Sequence, residues 1–520
     1  MSVSRRIINL GRLVFGGHKR KAALANFIFG QSQNIFIIFN GIVLLPIYLK
    51  HISFELYGIW LATGNIITWI SVIESGLAMV LTQRLARNFG LGRMDRFAQI
   101  AVTGCVISLI MAAAIALIGA ILSIYVASWF SVTDPVEARD LTNAIALAAI
   151  AGGIATIVSV IGALPQACLL TFGMGIVNLA ATLAGLVVTV LALESNFGLT
   201  GLAYGLLARS GLQIVGLSLV NYRHWRILKL PSPTWSNEDA VDLMGDALPM
   251  FFARLTRSLG ENSIAVISAS IISPLAAATL VITGRLVLAI RMIVGLISSA
   301  TFGGLASSFG EGDTVEIAKT FVRINWIVSS LVAIGMGLAV AINESLVSVW
   351  IGSDKYGGLL INVLIVLAGI VEVLVISNTN LLQAIGRFRS TAWLELMGVS
   401  LRLALMFLLG WYYGVGGIVF GGIVASVIVN GVLLSGVIAR AFNIPPEDAL
   451  RMMAGNFPAI VLCFLLGSIL SVLVDPFRTW LELSAFAFLY TSMFSAIAFT
   501  SPKRLGSRVK AVLVSFFRPR

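Results

Sequence analysis

The sequence has 520 residues, of which 58% are hydrophobic and only 11% are charged, and its mean hydropathy is +0.98. Soluble domains carry roughly 25% charged residues, so this composition excludes a soluble globular protein. Apolar runs of about 20 residues recur along the chain, and each is long enough to cross a hydrocarbon core about 30 Å thick. We therefore predict an all-α polytopic membrane protein.

Hydropathy predicts about fourteen transmembrane helices, arranged as two duplicated six-helix lobes and a C-terminal helix pair. The spans lie at approximately 25–49, 56–80, 98–127, 141–164, 172–193, 199–221, 247–272, 275–303, 320–342, 359–384, 391–412, 417–439, 456–474 and 480–500. The predicted domains are a basic N-terminal tail (1–24), an N-lobe (25–221), a cytoplasmic linker (222–246), a C-lobe (247–439), the helix pair (440–500) and a basic C-terminal tail (501–520). The linker holds prolines and four acidic residues, which indicates a solvated connector with a short surface helix.

Lysine and arginine predict the orientation in the membrane. Most of the 35 basic residues fall in the tails and in alternate loops, whereas the opposite loops carry only Lys50, Arg139, Lys355 and Arg478. Because cytoplasmic loops are enriched in these residues, both termini are predicted to be cytoplasmic. Anionic lipid at the inner leaflet accounts for the net charge of +12, so no nucleic-acid partner is needed.

The two halves share residues at a nearly constant separation of about 216 to 220 positions. The matches are Phe89-Gly90-Leu91-Gly92 with Phe309-Gly310-Glu311-Gly312, Gln166-Ala167 with Gln383-Ala384, and Gly198, Gly201 and Gly205 with Gly414, Gly417 and Gly421. This pattern favours an internal duplication. Since each repeat has six helices, both repeats enter the membrane from the same side, and a substrate path is expected between them.

Charge is concentrated in the seventh and eighth predicted spans, at Arg254, Arg257, Glu261, Arg285 and Arg291. An arginine costs about 2.5 to 3.5 kcal/mol at the centre of a membrane helix, so these side chains should face a cavity or an internal partner. Arg254, Arg257 and Glu261 are spaced at i, i+3 and i+7, within an arc of about 60°. Arg285 and Arg291 differ by about 120° in azimuth, and Arg291 is the member expected to point elsewhere.

Glu74 on the second span lies at a depth close to that of Arg254 and Arg291, so a salt bridge is expected there. Glu74 and Glu261 neutralise at most two of the four arginines, and positive charge is left over. The six residues are therefore predicted to bind an anionic substrate in a cavity. The alternative is that they pair internally and only specify how the helices pack.

A second, scattered set of polar residues ranks lower as a cavity or ion-coupling group. It comprises Arg209, Glu372, Glu395, Arg402, Asn34, Asn40 and Asn65. The charged members are expected to be packing pairs or snorkelling side chains. The asparagines either donate hydrogen bonds to a sugar or headgroup, or serve helix association.

Enzyme and metal chemistry find no support in the sequence. No G-x-x-x-x-G-K-[ST] loop occurs, so the chain has no P-loop for ATP. The histidines lie far apart in predicted loops, and the cysteines lie inside apolar runs without metal-ligand spacing: His18, His51, His224, Cys105, Cys168 and Cys463. No extramembrane segment is long enough for the catalytic domain of a membrane polymerase or glycosyltransferase. We predict that the chain is not an enzyme and has no cofactor.

The first hairpin resembles the start of polysaccharide flippases of the Wzx type, which belong to the multidrug/oligosaccharidyl-lipid/polysaccharide (MOP) exporter superfamily. The resemblance is carried by Pro46-Ile47-Tyr48-Leu49, Tyr57-Gly58-Ile59-Trp60, Glu74-Ser75-Gly76-Leu77, Arg84 and Arg87. The helix count, the six-helix duplication and the cytoplasmic termini extend it over nearly the whole chain.

The resemblance implies two six-helix lobes around a central cavity lined by helices one, two, seven and eight. It also implies a substrate, an undecaprenyl-pyrophosphate-linked oligosaccharide that moves from the inner to the outer leaflet of a bacterial cytoplasmic membrane. A glycan polymerase or other assembly proteins are the implied partners. Proton or sodium coupling through Glu74 or Glu261 stays open. The rival readings are a cation-coupled multidrug exporter of the same superfamily and a membrane scaffold that transports nothing.

Overall fold

The structure is a computed structural model that describes residues 44–168, 170, 172–228, 230–231, 235–295, 314–385, 387–474 and 476–499. Within these ranges every regular element is helical. In this described part of the chain, seven helices are long and apolar enough to cross a membrane, and up to nine spans result if each of two bent helix pairs counts as one. The predicted all-helical, multi-pass class is confirmed. The total of fourteen stays a prediction, because the first predicted span lies mostly outside the described residues.

The chain divides into two compact units, Met1–Asn262 and Ser263–Arg520. The helices of the first unit are α1 (44–51), α2 (Phe54–Gly90), α3 (Met94–Trp129), α4 (Pro135–Ala167), α5 (Phe172–Glu194), α6 (Gly198–Ile227) and the first part of α7 (Asn237–Ile271). Those of the second unit, after the end of α7, are α8 (Pro274–Thr283), α9 (Arg285–Gly295), α10 (Thr314–Ile351), α11 (Leu359–Ala384), α12 (Phe388–Ser426), a π-helical segment (Val427–Leu434), α13 (Ser435–Phe442), α14 (Pro446–Ala454), α15 (Phe457–Leu473) and α16 (Trp480–Phe499). Each predicted span from the second onward overlaps one or two of these elements, except 417–439, which overlaps α12, the π-helical segment and α13.

Two features of the helices were not expected from the sequence. The eighth predicted span is broken at Gly284, so that α8 and α9 bend by 47°. The short helix α14 precedes α15 and meets it at an angle of 49°, next to Gly455, whose φ is +48°. Gly455 tolerates its positive φ because it has no Cβ to restrict the backbone, whereas Gly284 keeps an ordinary φ of −78°.

The polar start of α6 is capped by a side chain from α4. The carboxylate of Asp140 accepts hydrogen bonds from the backbone N–H groups of Leu199 and Thr200, at 2.7 and 2.9 Å. These N–H groups have no partner inside their own helix, and the helix dipole favours a negative charge there. Gly198 precedes them at a φ of +54°, and a Cβ on it would lie 2.5 Å from the Asp140 carboxylate. Glycine at 198 therefore follows from both the backbone angle and the cap.

Glycines bring α5 and α6 into close contact. A Cβ on Gly205 would lie 1.7 Å from the hydroxyl of Thr189 and 2.7 Å from the carbonyl oxygen of Gly185. Small residues allow helix backbones to approach in this way, which is how membrane helices gain contact where the hydrophobic effect offers little. This contact fixes the position of α6, and of its side chains, against α5.

The corresponding glycines of the second unit have the same arrangement. Gly414 has a φ of +62° and divides α12 into two helical stretches. A Cβ on Gly417 or Gly421 would lie 2.0 or 2.6 Å from the carbonyl oxygens of Leu409 and Leu405. The three glycines thus turn and press together a helical hairpin, as Gly198, Gly201 and Gly205 do in the first unit.

Three of the four acidic residues of the predicted linker contact arginines on α2 and α3. They lie in the first turns of α7, so the expected short surface helix is the beginning of a longer one. Arg96 donates to Asp239 at 3.2 Å, and Asp239 is only 5% exposed. Arg84 pairs with Asp246 and donates to the backbone carbonyl of Asp242 at 3.2 Å. These contacts tie the start of α7 to α2 and α3.

The core of the second unit forms around α10. Of its most apolar stretch 72% is buried, compared with 28% for α3, α5 and α6. It packs against α11, α15 and α16, with Phe321, Val328 and Ala339 fully enclosed. Helix α11, which carries Glu372, is therefore held against one central helix.

Substituting Gly205 by alanine tests the close contact between α5 and α6. The added methyl group would overlap Thr189, and overpacking of this kind costs about 1 to 3 kcal/mol. We expect a lower melting temperature for the purified Gly205→Ala protein. Gly211→Ala on the same helix is the matched control, since a Cβ there has no atom within 4 Å. Equal melting temperatures for the two variants would contradict the close contact.

Candidate functional site

A carboxylate shared by two arginines lies within the second unit. Glu372 on α11 accepts from Arg291 on α9, with 2.5 Å between Nη1 and Oε2, and its other oxygen pairs with Arg402 on α12. The side chain of Glu372 is only 11% exposed, and the two arginines are 24% and 20% exposed. The positive and the negative groups are thus largely removed from water, and the side chain of Glu372 joins three helices. We call these three residues the arginine–glutamate triad.

The triad has more donors than acceptors. Each guanidinium carries five N–H groups, and a carboxylate has about four lone-pair sites. The Nε of Arg402 is buried and has no hydrogen-bond partner among the described residues. A buried donor left in this way costs about 1 to 3 kcal/mol. The triad keeps a net positive charge and unsatisfied donors, and these are the properties that an oxyanion would complement.

Arg285 is the first residue of α9, directly after the break at Gly284, and its side chain is half-buried. The six-residue separation from Arg291 places the two about 120° apart on the helix. Arg291 was expected to point away from the substrate group, and its described partner is Glu372 of the triad. Because of the break, the eighth span is not one straight helix. The depths of Arg285 and Arg291 in the membrane therefore do not follow from a constant rise per residue along the whole span.

The remaining predicted site residues lie at the limit of what the structure describes. Helix α7 runs without interruption through 254–261, which preserves the i, i+3, i+7 spacing of Arg254, Arg257 and Glu261. The side chains of these three residues, and those of Glu74 and Asn65 on α2, lie outside the described residues, as do Asn34 and Asn40 entirely. Their roles stay predictions.

The other charged residues of the lower-ranking set lie in different surroundings. The side chain of Glu395 on α12 is half-buried and accepts a long hydrogen bond, 3.5 Å, from Gln383. Arg209 on α6 lies in the first unit and lines a partly open cavity of about 330 Å³. The expectation of a packing pair holds for Glu372 and Arg402, which contact each other. Arg209 has no ion-pair partner in the described part of the chain.

Buried asparagines between α10 and α11 were missed by the sequence analysis. Asn325 donates to Asn378 at 2.9 Å, and Asn343 donates to Asn362 and to the backbone carbonyl of Thr283, each at 2.8 Å. All four amides are fully buried. Interhelical hydrogen bonds of this kind hold membrane helices together. A single amide inside an otherwise apolar run is the signal that would have identified them.

The described residues include no group of three or more His, Cys, Asp or Glu side chains that could bind a metal ion. The charged groups that do meet inside the helices are mainly guanidinium groups. They can bind oxyanions and carboxylates through paired, charge-assisted hydrogen bonds.

Comparison with known proteins identifies the fold. No protein-family model and no curated protein sequence matches the chain, but solved structures match over most of its length. The lipid II flippase MurJ in an inward closed conformation superimposes with a TM-score of 0.66 at 12% identity, covering 92% of this chain and 98% of the other. An inward-facing multidrug resistance MATE family transporter of the MOP superfamily superimposes with a TM-score of 0.58 at 13% identity, covering 83% and 94%.

A third match is a MOP superfamily transporter from Pyrococcus furiosus, described as having a binding pocket of reverse polarity. Its TM-score is 0.52 at 17% identity, and the match covers 81% of this chain and 95% of the other. These likenesses show that the chain has the fold of the MOP superfamily transporters. They do not distinguish a glycan flippase from a drug exporter, because the fold hosts both.

Removing the carboxylate of the triad should destabilise the second unit strongly. Glu372→Gln leaves two arginines without a counter-charge, and breaking a buried ion pair from one side costs about 3 to 5 kcal/mol. We expect a clear loss of melting temperature in detergent, partly recovered in the double variant Glu372→Gln/Arg402→Met. Glu395→Gln, on the less buried neighbour, serves as the control and should melt near the unchanged protein. A Glu372→Gln protein as stable as the parent would refute the assigned role.

Proposed function

We propose that the chain is a secondary transporter, not an enzyme, and that it moves an undecaprenyl-pyrophosphate-linked oligosaccharide from the inner to the outer leaflet of a bacterial cytoplasmic membrane. The MOP fold supports transport in general, and one of its solved members is a lipid II flippase. The choice of an anionic, lipid-linked substrate rests on a separate observation, the sign of the charge inside the spans.

The observation that carries the proposal is the surplus of arginine. Within the described spans of the second unit, Arg291 and Arg402 share one largely buried acid, Glu372, and Arg285 lies on the same helix as Arg291. Charged groups at this depth are expensive and are retained where a pathway or ligand uses them. A cavity built for cationic drugs would need the opposite balance, with acidic side chains in excess. The arrangement therefore favours an anionic substrate over a cationic one.

Arginine suits the pyrophosphate in particular. Its planar guanidinium presents parallel N–H donors that match the oxygens of a phosphate two at a time. In the proposal Arg254, Arg257, Arg285 and Arg291 bind the headgroup while the undecaprenyl tail stays in the bilayer. Arg291 can keep its contact with Glu372 and still offer other N–H groups to the substrate. Glu74 and Glu261 would set the orientation of these arginines.

Alternating access between two six-helix lobes is the proposed mechanism. The matching hairpins formed by Gly198, Gly201 and Gly205, and by Gly414, Gly417 and Gly421, support the duplication that this mechanism requires. Both termini are proposed to be cytoplasmic, because the basic loops alternate with loops poor in lysine and arginine. The linker over 222–246 would then connect the lobes on the cytoplasmic side.

The membrane potential offers a driving force. Moving two negative charges outward in a cell with a negative interior gains roughly 4 to 5 kcal/mol per 100 mV. Coupling to protons or sodium through Glu74 or Glu261 is the alternative source of energy. A glycan polymerase or another assembly protein is the expected partner on the outer side, where the flipped substrate would be consumed.

Substrate transport in proteoliposomes tests the proposal. A fluorescent undecaprenyl-pyrophosphate oligosaccharide should become accessible on the opposite leaflet when the purified chain is present. Arg285→Ala should slow this about tenfold or more, since it removes a charge-assisted contact worth about 1.5 to 3 kcal/mol, and Arg285→Lys should retain part of the rate. Arg478→Ala, in a predicted outer loop, is the control variant and should flip normally.

The same vesicles separate the proposal from its rivals. Ethidium uptake that depends on the chain and on an ion gradient would point to a multidrug exporter. A scaffold would give no flipping in vesicles and would leave surface glycan unchanged in cells that express Arg257→Ala or Arg285→Ala at normal protein levels. Either outcome would overturn the proposed substrate.

A further inference from the structure

A cavity in the first unit has not been assigned a role by the proposal above. It has a volume of about 330 Å³ and lies between α1, α2, α5 and α6. Its walls are mostly apolar, and Tyr48 and Trp60 contribute aromatic surface. Cavities of this size and character are typical small-molecule sites, in which a few polar groups fix the ligand. The question is which ligand its polar groups would recognise.

Arg209 is the charged residue of this cavity. It lies eleven residues into α6, about 16 Å along the helix axis, which is near the middle of a hydrocarbon core about 30 Å thick. Its guanidinium forms no ion pair and no hydrogen bond with any part of the chain that the structure describes. A charge at this depth is costly unless a partner offsets it. An anion in the cavity would remove that cost.

The other polar groups of the cavity are consistent with an anion. No aspartate or glutamate is among its described lining residues. The hydroxyls of Thr182 and Thr189 are already used, since each donates to a carbonyl of its own helix, at 2.7 and 2.9 Å. The indole N–H of Trp60 has no partner in the described ranges and adds a second donor. The cavity therefore offers N–H donors and an apolar wall, without a negative charge.

The close contact between α5 and α6 fixes the position of Arg209, which lies on a helix and not on a loop. A Cβ on Gly185 would lie 2.8 Å from the Cβ of Arg209 and 2.7 Å from the carbonyl oxygen of Gly205. The two glycines thus let α5 approach α6 at the turn that carries the arginine. A rigid helix pair holds a binding group more accurately than a loop does.

We propose that this cavity binds an ionised phosphate group carried on an apolar chain. Arg209 would bind the phosphate oxygens, with the indole N–H of Trp60 as a further donor, and the leucines of the wall would contact the chain. Arginine is suited to phosphate by its paired donors, and the apolar lining favours an amphiphile over a free ion. The site uses residues other than the arginines of the seventh and eighth spans, and its occupancy does not depend on transport.

Binding of radiolabelled dodecyl phosphate to the full chain in nanodiscs of zwitterionic lipid tests this site, with empty nanodiscs as background. We expect saturable binding that is weakened about tenfold or more in Arg209→Met and less in Arg209→Lys, because the charge-assisted bonds are lost or reduced. Arg226→Met is the matched control, since Arg226 is exposed at the end of the same helix, and should bind normally. Trp60→Phe should weaken binding about threefold and provides a second variant if Arg209→Met does not fold.

Competitors identify the source of the phosphate. Unlabelled dodecyl phosphate should displace the label at far lower concentration than inorganic phosphate, and dodecanol should not displace it. Equal competition by inorganic phosphate would overturn the amphiphile and point to a free oxyanion. Unchanged binding in both Arg209→Met and Trp60→Phe, or displacement by dodecanol, would overturn the site itself.

Discussion

The energetic cost of placing arginine inside a membrane is the constraint on which the structure depends. In the second unit the triad lowers this cost, because the carboxylate of Glu372 forms ion pairs with two guanidinium groups. The three side chains join α9, α11 and α12, so the charge that is expensive in lipid also fixes the helices that carry it. Because two positive groups share one negative group, the arrangement stays positive and keeps donors to spare. That surplus connects the fold to the proposed anionic substrate.

Close helix contact is the second requirement, since charged groups need backbones held in place. In the first unit Gly185 and Gly205 bring α5 and α6 together beside Arg209. In the second unit Gly417 and Gly421 do the same for the two stretches of α12. Membrane helices gain little from the hydrophobic effect when they associate. Close backbone contact at glycines, and interhelical hydrogen bonds such as that from Asn325 to Asn378, take its place. The buried charges then lie on rigid surfaces.

The sequence predicted what depends on local composition. Span positions followed from hydropathy, because a run of about 20 apolar residues has few alternatives in a membrane protein. The repeated glycines lie in two helical hairpins of similar local geometry. Partner choice did not follow, because Glu372 pairs across three helices that are far apart in the chain. The break at Gly284 was missed because an isolated glycine is tolerated in many straight helices. The acidic start of α7 looked solvated, although Asp239 is nearly enclosed by its contact with Arg96.

The central claim is that positive charge inside the spans selects an anionic lipid headgroup, and a comparison of two ligands with the same tail measures this most directly. Undecaprenyl pyrophosphate and undecaprenol would be bound to the unchanged chain in nanodiscs of zwitterionic lipid. The account predicts that the pyrophosphate binds at least about tenfold more tightly, as expected for charge-assisted hydrogen bonds to arginine, and that added salt reduces the difference. Equal affinity for the two lipids would contradict the account.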